Sequence, residues 1–327
     1  GVEIVEIARA LICSYVFSWI YILSSIPLTL SYRTTKVFNF AHPVFITYGA
    51  YVAIFLNEFL NKNTPLFIAA LFSFTTGGLI GVINYLLIIR PLHQRGASPN
   101  VHMIATMGAW FVYQYALYII CQVLMKLRGA SFLSYPTVEY VDILYIQRAL
   151  GLNTLPQYII TSTALGLLVI LSIHVLLNKT MVGFAMRGIA DNQILATLCG
   201  IPRDKLIALT WFLTGGITAF SGILWVNFSG STTPEIGLHI VVINFAASFI
   251  GGLSSLLVTA LASAALALTE NIVFLFLSYH LGLQPTIRLA IVFGVVFTIL
   301  VIRPPLGAGG GLPYRFRIRI SREVAKP

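Results

Sequence analysis

Asn39, Phe40, His42 and Pro43 stand in the run S-Y-R-T-T-K-V-F-N-F-A-H-P-V-F-I-T-Y-G-A-Y, residues 31–51, where cations, an amide and an imidazole lie directly beside apolar residues. Pro43 suits a first helical turn, because the N–H it lacks would have no intrahelical partner there. A helix opening at that point in a membrane would aim its positive dipole end and free N–H groups at whatever precedes it, toward a cavity. That fits an anionic or carbonyl-bearing solute; a cytoplasmic turn followed by an ordinary helix fits the same residues. A partial echo, Asn244-Phe245-Ala246, repeats Asn39-Phe40-Ala41, and a short Gly-containing segment follows each. Interrupted helices at corresponding positions of two halves point to a midplane site; chance recurrence of three letters fits the same residues. The candidate pathway residues are therefore Asn39, Phe40, His42, Pro43, Asn244 and Phe245.

A second constellation is M-V-G-F-A-M-R-G-I-A-D-N-Q-I-L-A-T-L-C-G-I-P-R-D-K-L, from Met181. Ile189, Ile194, Leu195, Leu198 and Ile201 recur at roughly helical intervals, and Arg187, Asp191, Asn192 and Gln193 cluster near the start. Gly200 suits a helix C-cap, and Pro202 cannot continue the helix. The spacing predicts one short helix at the membrane surface. Such an element either joins two spans or docks in a groove on a soluble partner. A third feature is the ionisable pair Glu270 and Arg288, each inside an otherwise apolar run. Groups of this kind are costly at depth, so the pair serves either structure or function.

Several chemistries lack their residues. None of the six lysines follows a glycine, so there is no GxxxxGK phosphate loop and no ATP bound in that manner. HExxH, GxSxG and paired-carboxylate patterns are missing, which leaves enzymatic activity without support. Cys13, Cys121 and Cys199 are scattered, with no CxxC or His/Cys cluster, so neither a disulfide framework nor a metal site is expected.

The elements that must position these residues are transmembrane helices. Of 327 residues, 58% are hydrophobic and 9% charged, against roughly 25% charged in a soluble domain. Apolar runs at about 11–31, 44–60, 65–89, 103–124, 158–177, 206–226, 238–252, 256–277 and 286–302 predict an all-α membrane protein of about nine spans (8–10), with short or broken helices after Pro43 and Gly237. The first run reads as a retained span rather than a cleaved signal. The chain is expected to be one polytopic domain over residues 1–327. Excursions are expected at 126–156 outside, with a β-prone stretch at 138–146, at 178–205 inside, and as a basic tail at 303–327 inside. With the N-terminus outside and the C-terminus inside, 14 of the 20 basic residues lie on the cytoplasmic side. The net charge of +10 is thus a topology signal rather than a nucleic-acid footprint, and the tail lies against anionic headgroups. Gly77-Gly78, Gly81, Gly215-Gly216 and Gly251-Gly252 favour close helix packing.

Nearly the whole chain resembles the permeases of branched-chain amino acid ABC importers. Tyr32 through His42 is similar to the family's Y-R-x-x-G-V-x-N-F-A-H-G run, and Gly49-Ala50-Tyr51 supplies its small-residue ending. Gly183 through Asn192, with Ala196, Gly200 and Ile201, resembles the family's cytoplasmic segment, and Ile250 through Ser255 its L-G-G-x-G-S turn. Lys36, Pro43 and Ser254 stand where the family usually carries glycine.

The resemblance implies a type II importer in the plasma membrane of a prokaryote. Two permeases pack side by side, more often different paralogues than copies. Two ATPase subunits bind inside and supply the ATP site, so this chain carries no cofactor, and a solute-binding protein delivers cargo outside. Arg187, Ala190, Asp191, Asn192, Ala196, Gly200 and Ile201 would then form the coupling helix. The implied cargo is a branched-chain or other apolar amino acid, with urea or short amides as a variant. An ion-coupled transporter acting alone is the alternative from another class.

Overall fold

The computed structural model describes residues 2–142, 151, 154–282 and 287–302. The order is α1 (Val2–Thr35), α2 (His42–Phe59), α3 (Leu66–Asn84), a π-helical turn (Tyr85–Ile89), α4 (Arg90–Gln94), α5 (Pro99–Arg128), α6 (Thr154–Lys179), α7 (Met181–Asp191), α8 (Gln193–Leu198), α9 (Arg203–Phe228), α10 (Ile236–Ile250), α11 (Leu256–Leu281) and α12 (Ile287–Ile302). Six helices among the described residues are long and apolar enough to cross a membrane. They are the helices containing Ile7–Thr35, Leu66–Gln94, Pro99–Arg128, Gln157–Lys179, Arg203–Phe228 and Leu256–Leu281. The remaining apolar helices fall short. The 15 residues of α10 extend only about 22 Å at 1.5 Å each, against the ~30 Å of a hydrocarbon core. α2 is diluted by His42, Asn57 and Glu58. The tail at 303–327 lies outside the described residues.

The central element is α9. Its span is 72% buried, whereas those of α5 and α6 are 22% buried and form the rim. Glycine makes this axis possible. A Cβ on Gly215 would sit 2.1 Å from the Gly77 carbonyl oxygen, and one on Gly49 would sit 2.0 Å from that of Ala219. Neighbouring helices therefore touch backbone to backbone, as small residues permit in lipid. Gly78 and Gly216 instead face the rings of Phe212 and Phe74. Gly251 lies close to Thr259, but Gly251-Gly252 also has a different task. Gly252, at φ +63°, ends α10 as Leu253 N–H donates to the Ser248 carbonyl and Gly252 N–H to that of Phe249.

The π-turn is explained by Pro91, which offers no N–H and crowds the carbonyl a turn earlier. α1 and α11 run antiparallel, with Tyr21 opposite Glu270 and Thr29 opposite Thr259. The β-prone stretch forms no strand through Tyr140, and residues 143–146 lie outside the described set. A two-residue strand β1 (Tyr135–Pro136) pairs antiparallel with β2 (Ser231–Thr232) instead. The connection from Ala130 to Asp142 caps one end of the bundle. Val138 N–H donates to the Val226 carbonyl, Asp142 accepts from Leu66 N–H, and the Tyr135 hydroxyl donates to Glu58. Burial, assisted by Glu58, pushes the Tyr135 phenol up to about 12.

Candidate functional site

The two Asn-Phe-Ala segments converge on the middle of α1. Pro27 lies within that helix, where it weakens the hydrogen bonding of the preceding turn. The Ser24 carbonyl, three residues before Pro27, lies 2.7 Å from His42 Nε2. A carbonyl can only accept, so Nε2 carries the proton and Nδ1 is left as an acceptor. The Ser24 and Ser25 hydroxyls donate to Asn244 Oδ1 at 2.7 and 2.9 Å. Ser24 thereby joins the start of α2 to α10. Asn39 folds back on its own chain, Oδ1 accepting from Ala41 N–H at 3.0 Å and from Asn84 Nδ2 at 3.4 Å. Phe40 N–H donates to Thr106 on α5, and the Phe40 ring lies 5.0 Å from that of Phe245. Phe38 and Phe249 extend this aromatic group.

Two expectations need correction. The opening of α2 does not face a cavity: Asn39, His42, Pro43 and Val44 are buried. Gly237 on α10 is the reason, because a Cβ there would stand 2.4 Å from the Pro43 carbonyl oxygen, so α10 closes over the helix start. The echo is also local rather than architectural. Asn39 sits in the connection before α2, but Asn244 lies within α10, which runs unbroken from Ile236 to Ile250 and meets its C-cap only at Gly251. Asn39 Nδ2, His42 Nδ1, Asn84 Oδ1 and Asn244 Nδ2 are all buried without a partner, an unusual concentration of unsatisfied polar atoms.

Glu270 and Arg288 do meet. Arg288 Nη1 lies 3.9 Å from Glu270 Oε1 and donates to Asn271 Oδ1 at 3.1 Å, while its guanidinium stacks over Phe274. The other Glu270 oxygen accepts from the Tyr21 hydroxyl at 2.8 Å.

The single surface helix anticipated around residues 190–201 is two helices, α7 and α8, broken at Asn192 (φ −152°, ψ 103°). Asn192 is a better N-cap than helix interior, and its Oδ1 accepts from Leu195 N–H at 3.0 Å. α7 has its own cap, Thr180, whose hydroxyl accepts from Gly183 N–H. Arg187 and Ala190 are therefore in α7, and Arg187 donates to Asn178 and stacks on Phe184. Asp191 closes α7 and is exposed. α8 ends in a Schellman turn: Ile201 N–H reaches the Ala196 carbonyl and Gly200 N–H that of Thr197, with Gly200 at φ +81°.

The pair has two faces. Ile189 and Ala196 are buried with Val37, Val44, Phe45 and Trp211, and Ile201 packs on the same cluster. Met181, Ile194 and Leu198 are 85%, 77% and 79% exposed, at the end of the bundle that carries Arg33, Lys36, Arg90 and Arg203.

Three contacts escaped the sequence reading. Arg90 binds Asp204 through Nη2 at 2.9 Å and Nε at 3.0 Å, Ser24 forms the hub described above, and Gln193 Nε2 donates to the Thr34 carbonyl at the end of α1. No local pattern singled out Ser24, because Pro27 removes the donor to the Leu23 carbonyl, one residue away. The other two join residues more than 110 positions apart, and no local pattern marks them.

Comparison with known proteins gives the family. A family model described as the branched-chain amino acid transport system / permease component matches residues 11–302. A probable branched-chain amino acid transport permease protein LivH of Methanocaldococcus jannaschii is 26% identical over 88% of this chain and 86% of its own length. The high-affinity branched-chain amino acid transport system permease protein BraD of Pseudomonas aeruginosa is 23% identical over 87% and 90%. The LivH of Salmonella typhimurium is 25% identical over 72% and 76%. No solved structure matches. With 292 consecutive positions matched by one family model, the chain belongs to the permease components of branched-chain amino acid transport systems.

Proposed function

We propose that this chain forms half of the translocation pathway of an ABC importer for branched-chain or other apolar amino acids. It pairs with a second permease chain of different sequence and is driven by two separate ATPase subunits, with cargo delivered by a solute-binding protein. The N-terminus is outside and the C-terminus cytoplasmic, as the basic residues gathered at the α7–α8 end favour. On this reading α2, α10 and α12 are shorter membrane elements that join the six long helices to make nine.

One observation carries the proposal: α7 and α8 bury one face in the bundle and leave Met181, Ile194 and Leu198 in the open. Exposed apolar side chains on a rigid, well-capped pair are what a partner's groove would cover. α7–α8 is then the coupling segment, with Arg187, Ala190, Asp191, Asn192, Ala196, Gly200 and Ile201 on its two helices and turns. Asn39, Phe40, His42, Pro43, Asn244 and Phe245 belong to a pathway held shut in this state. The rings of Phe38, Phe40, Phe245 and Phe249 favour an apolar side chain as cargo.

The test is reconstitution of the assembly in liposomes with its binding protein, following uptake and ATP hydrolysis together. Leucine, isoleucine or valine should stimulate both. Asp191→Lys should lower uptake per ATP hydrolysed without preventing insertion, and unchanged coupling in that variant removes the assignment of α7–α8. Stimulation by urea or a short amide instead would replace the cargo assignment.

A further inference from the structure

We infer that Gln193 is the positioning residue that ties the coupling segment to the end of α1, so that movement of α7–α8 is delivered to the Lys36–Val44 connection at the head of the pathway. The inference rests on α7–α8 being that segment.

The last four carbonyls of a helix have no intrahelical donor. At the end of α1 one of them, that of Thr34, receives the Gln193 side-chain amide. Gln193 is the first residue of α8, directly behind the Asn192 break. Its donor is thus fixed by the cap that starts α8, and it reaches across to a different helix. Two residues beyond Thr34 the chain is held in a left-handed conformation at Lys36 (φ +57°) and then enters Val37-Phe38-Asn39. Ile189 before the break and Ala196 after it are buried against Val37, Val44 and Phe45. The segment therefore grips both ends of the connection, through one hydrogen bond at Thr34 and through apolar packing from Val37 to Phe45. A cavity of about 30 Å³, lined by Thr35, Tyr85, Gln193 and Arg203 among others, leaves the junction room for about one water. The Arg90–Asp204 pair fixes the far wall of the same cavity.

If α7–α8 moves with the ATPases, the Thr34 carbonyl gains or loses its donor and Val37 shifts with Ile189. Asn39 and His42 ride on that connection. The hydrogen bond needs a donor at position 193, not glutamine's shape. A leucine at that position offers no donor, a glutamate would oppose the carbonyl, and a lysine could donate and would suit the negative end of the α1 dipole.

The experiment compares Gln193→Leu, Gln193→Glu, Gln193→Lys and Asp191→Lys in the complete reconstituted assembly. The readout is solute taken up per ATP hydrolysed. The leucine and glutamate variants should lower the ratio by about 5-fold or more, the lower range of a coupling between sites, while hydrolysis continues; Gln193→Lys should keep the wild-type ratio. Wild-type ratios in the leucine and glutamate variants, or equal losses in all three, overturn the role of the donor. Asp191→Lys separates this from the underlying reading. If it leaves coupling intact, α7–α8 is not the lever; if it uncouples while Gln193→Leu does not, the lever stands and the Thr34 link falls. Amide exchange across Lys36–Asn39 in the unmodified assembly needs no variant. It should differ by about 5-fold or more between nucleotide-free and ATP-trapped states, and identical exchange refutes the link.

Discussion

Gly215→Ala and Gly108→Ala are the same chemical change and should have opposite effects. At Gly215 the new methyl would stand 2.1 Å from the Gly77 carbonyl oxygen, and the facing position is as tight, since a Cβ on Gly77 would lie 2.4 Å from the Gly215 oxygen. Ordinary carbon–oxygen contact needs about 1 Å more, so α3 and α9 must move apart by roughly that amount. A gap of that size forfeits a quarter to a half of each contact energy; for on the order of 50 atom pairs at about 0.15 kcal/mol, the loss is roughly 2.5 kcal/mol. This falls within the usual range for overpacking, about 1–3 kcal/mol. Gly108 lies in the middle of α5 with nothing within 4 Å of an added Cβ. There the methyl meets no resistance and removes backbone freedom from the unfolded chain, a gain approaching 1 kcal/mol. The assay is the unfolding midpoint of the detergent-solubilised chain, read by tryptophan fluorescence and checked by size-exclusion profile. Equal shifts of the two variants, or a Gly215→Ala variant as stable as the parent, would refute the claim that backbone contact between α3 and α9 sets the axis of the bundle.

Lys36→Gly should stabilise the chain by about 1 kcal/mol, because Lys36 is exposed and left-handed backbone is costly for any residue with a Cβ; an unchanged or lower midpoint in the same assay would contradict it. Arg288→Met should cost about 3 kcal/mol, the lower end for breaking a buried pair because the Arg288 side chain is 33% exposed, as Glu270 is left without its cation. Adding Glu270→Gln should recover most of that loss, and a double variant no more stable than Arg288→Met alone would show that the pair is not coupled.

Residue types and apolar patterning were legible in the linear sequence, and the geometry that joins them was not. The membrane class followed from long uncharged runs, because lipid tolerates little else. The aromatic and amide character of residues 38–43 and 244–245 was legible as polar groups set among apolar ones, and the glycines flagged for packing at 77–81 and 215–216 do face their neighbours. The Asn192 break was readable in principle, since Asn favours caps over helix interiors, but the apolar spacing across residues 189–201 concealed it. Amphipathic periodicity reports which faces are apolar, not whether the backbone between them is continuous.

The amino-acid order alone determined that this is a lipid-immersed helical chain of the permease family, with an amphipathic stretch at 178–205 capable of standing outside the bilayer. Periodicity, capping residues and charge are local properties, and they survive in the linear text. Only the tertiary structure decided that Ser24 links His42 to Asn244, that Arg90 binds Asp204, that Gln193 caps α1, and that α10 closes over the start of α2. Each of these joins residues far apart in the chain. Their partners are fixed by how closely glycine lets the helices approach, a distance that exists only once the bundle has formed.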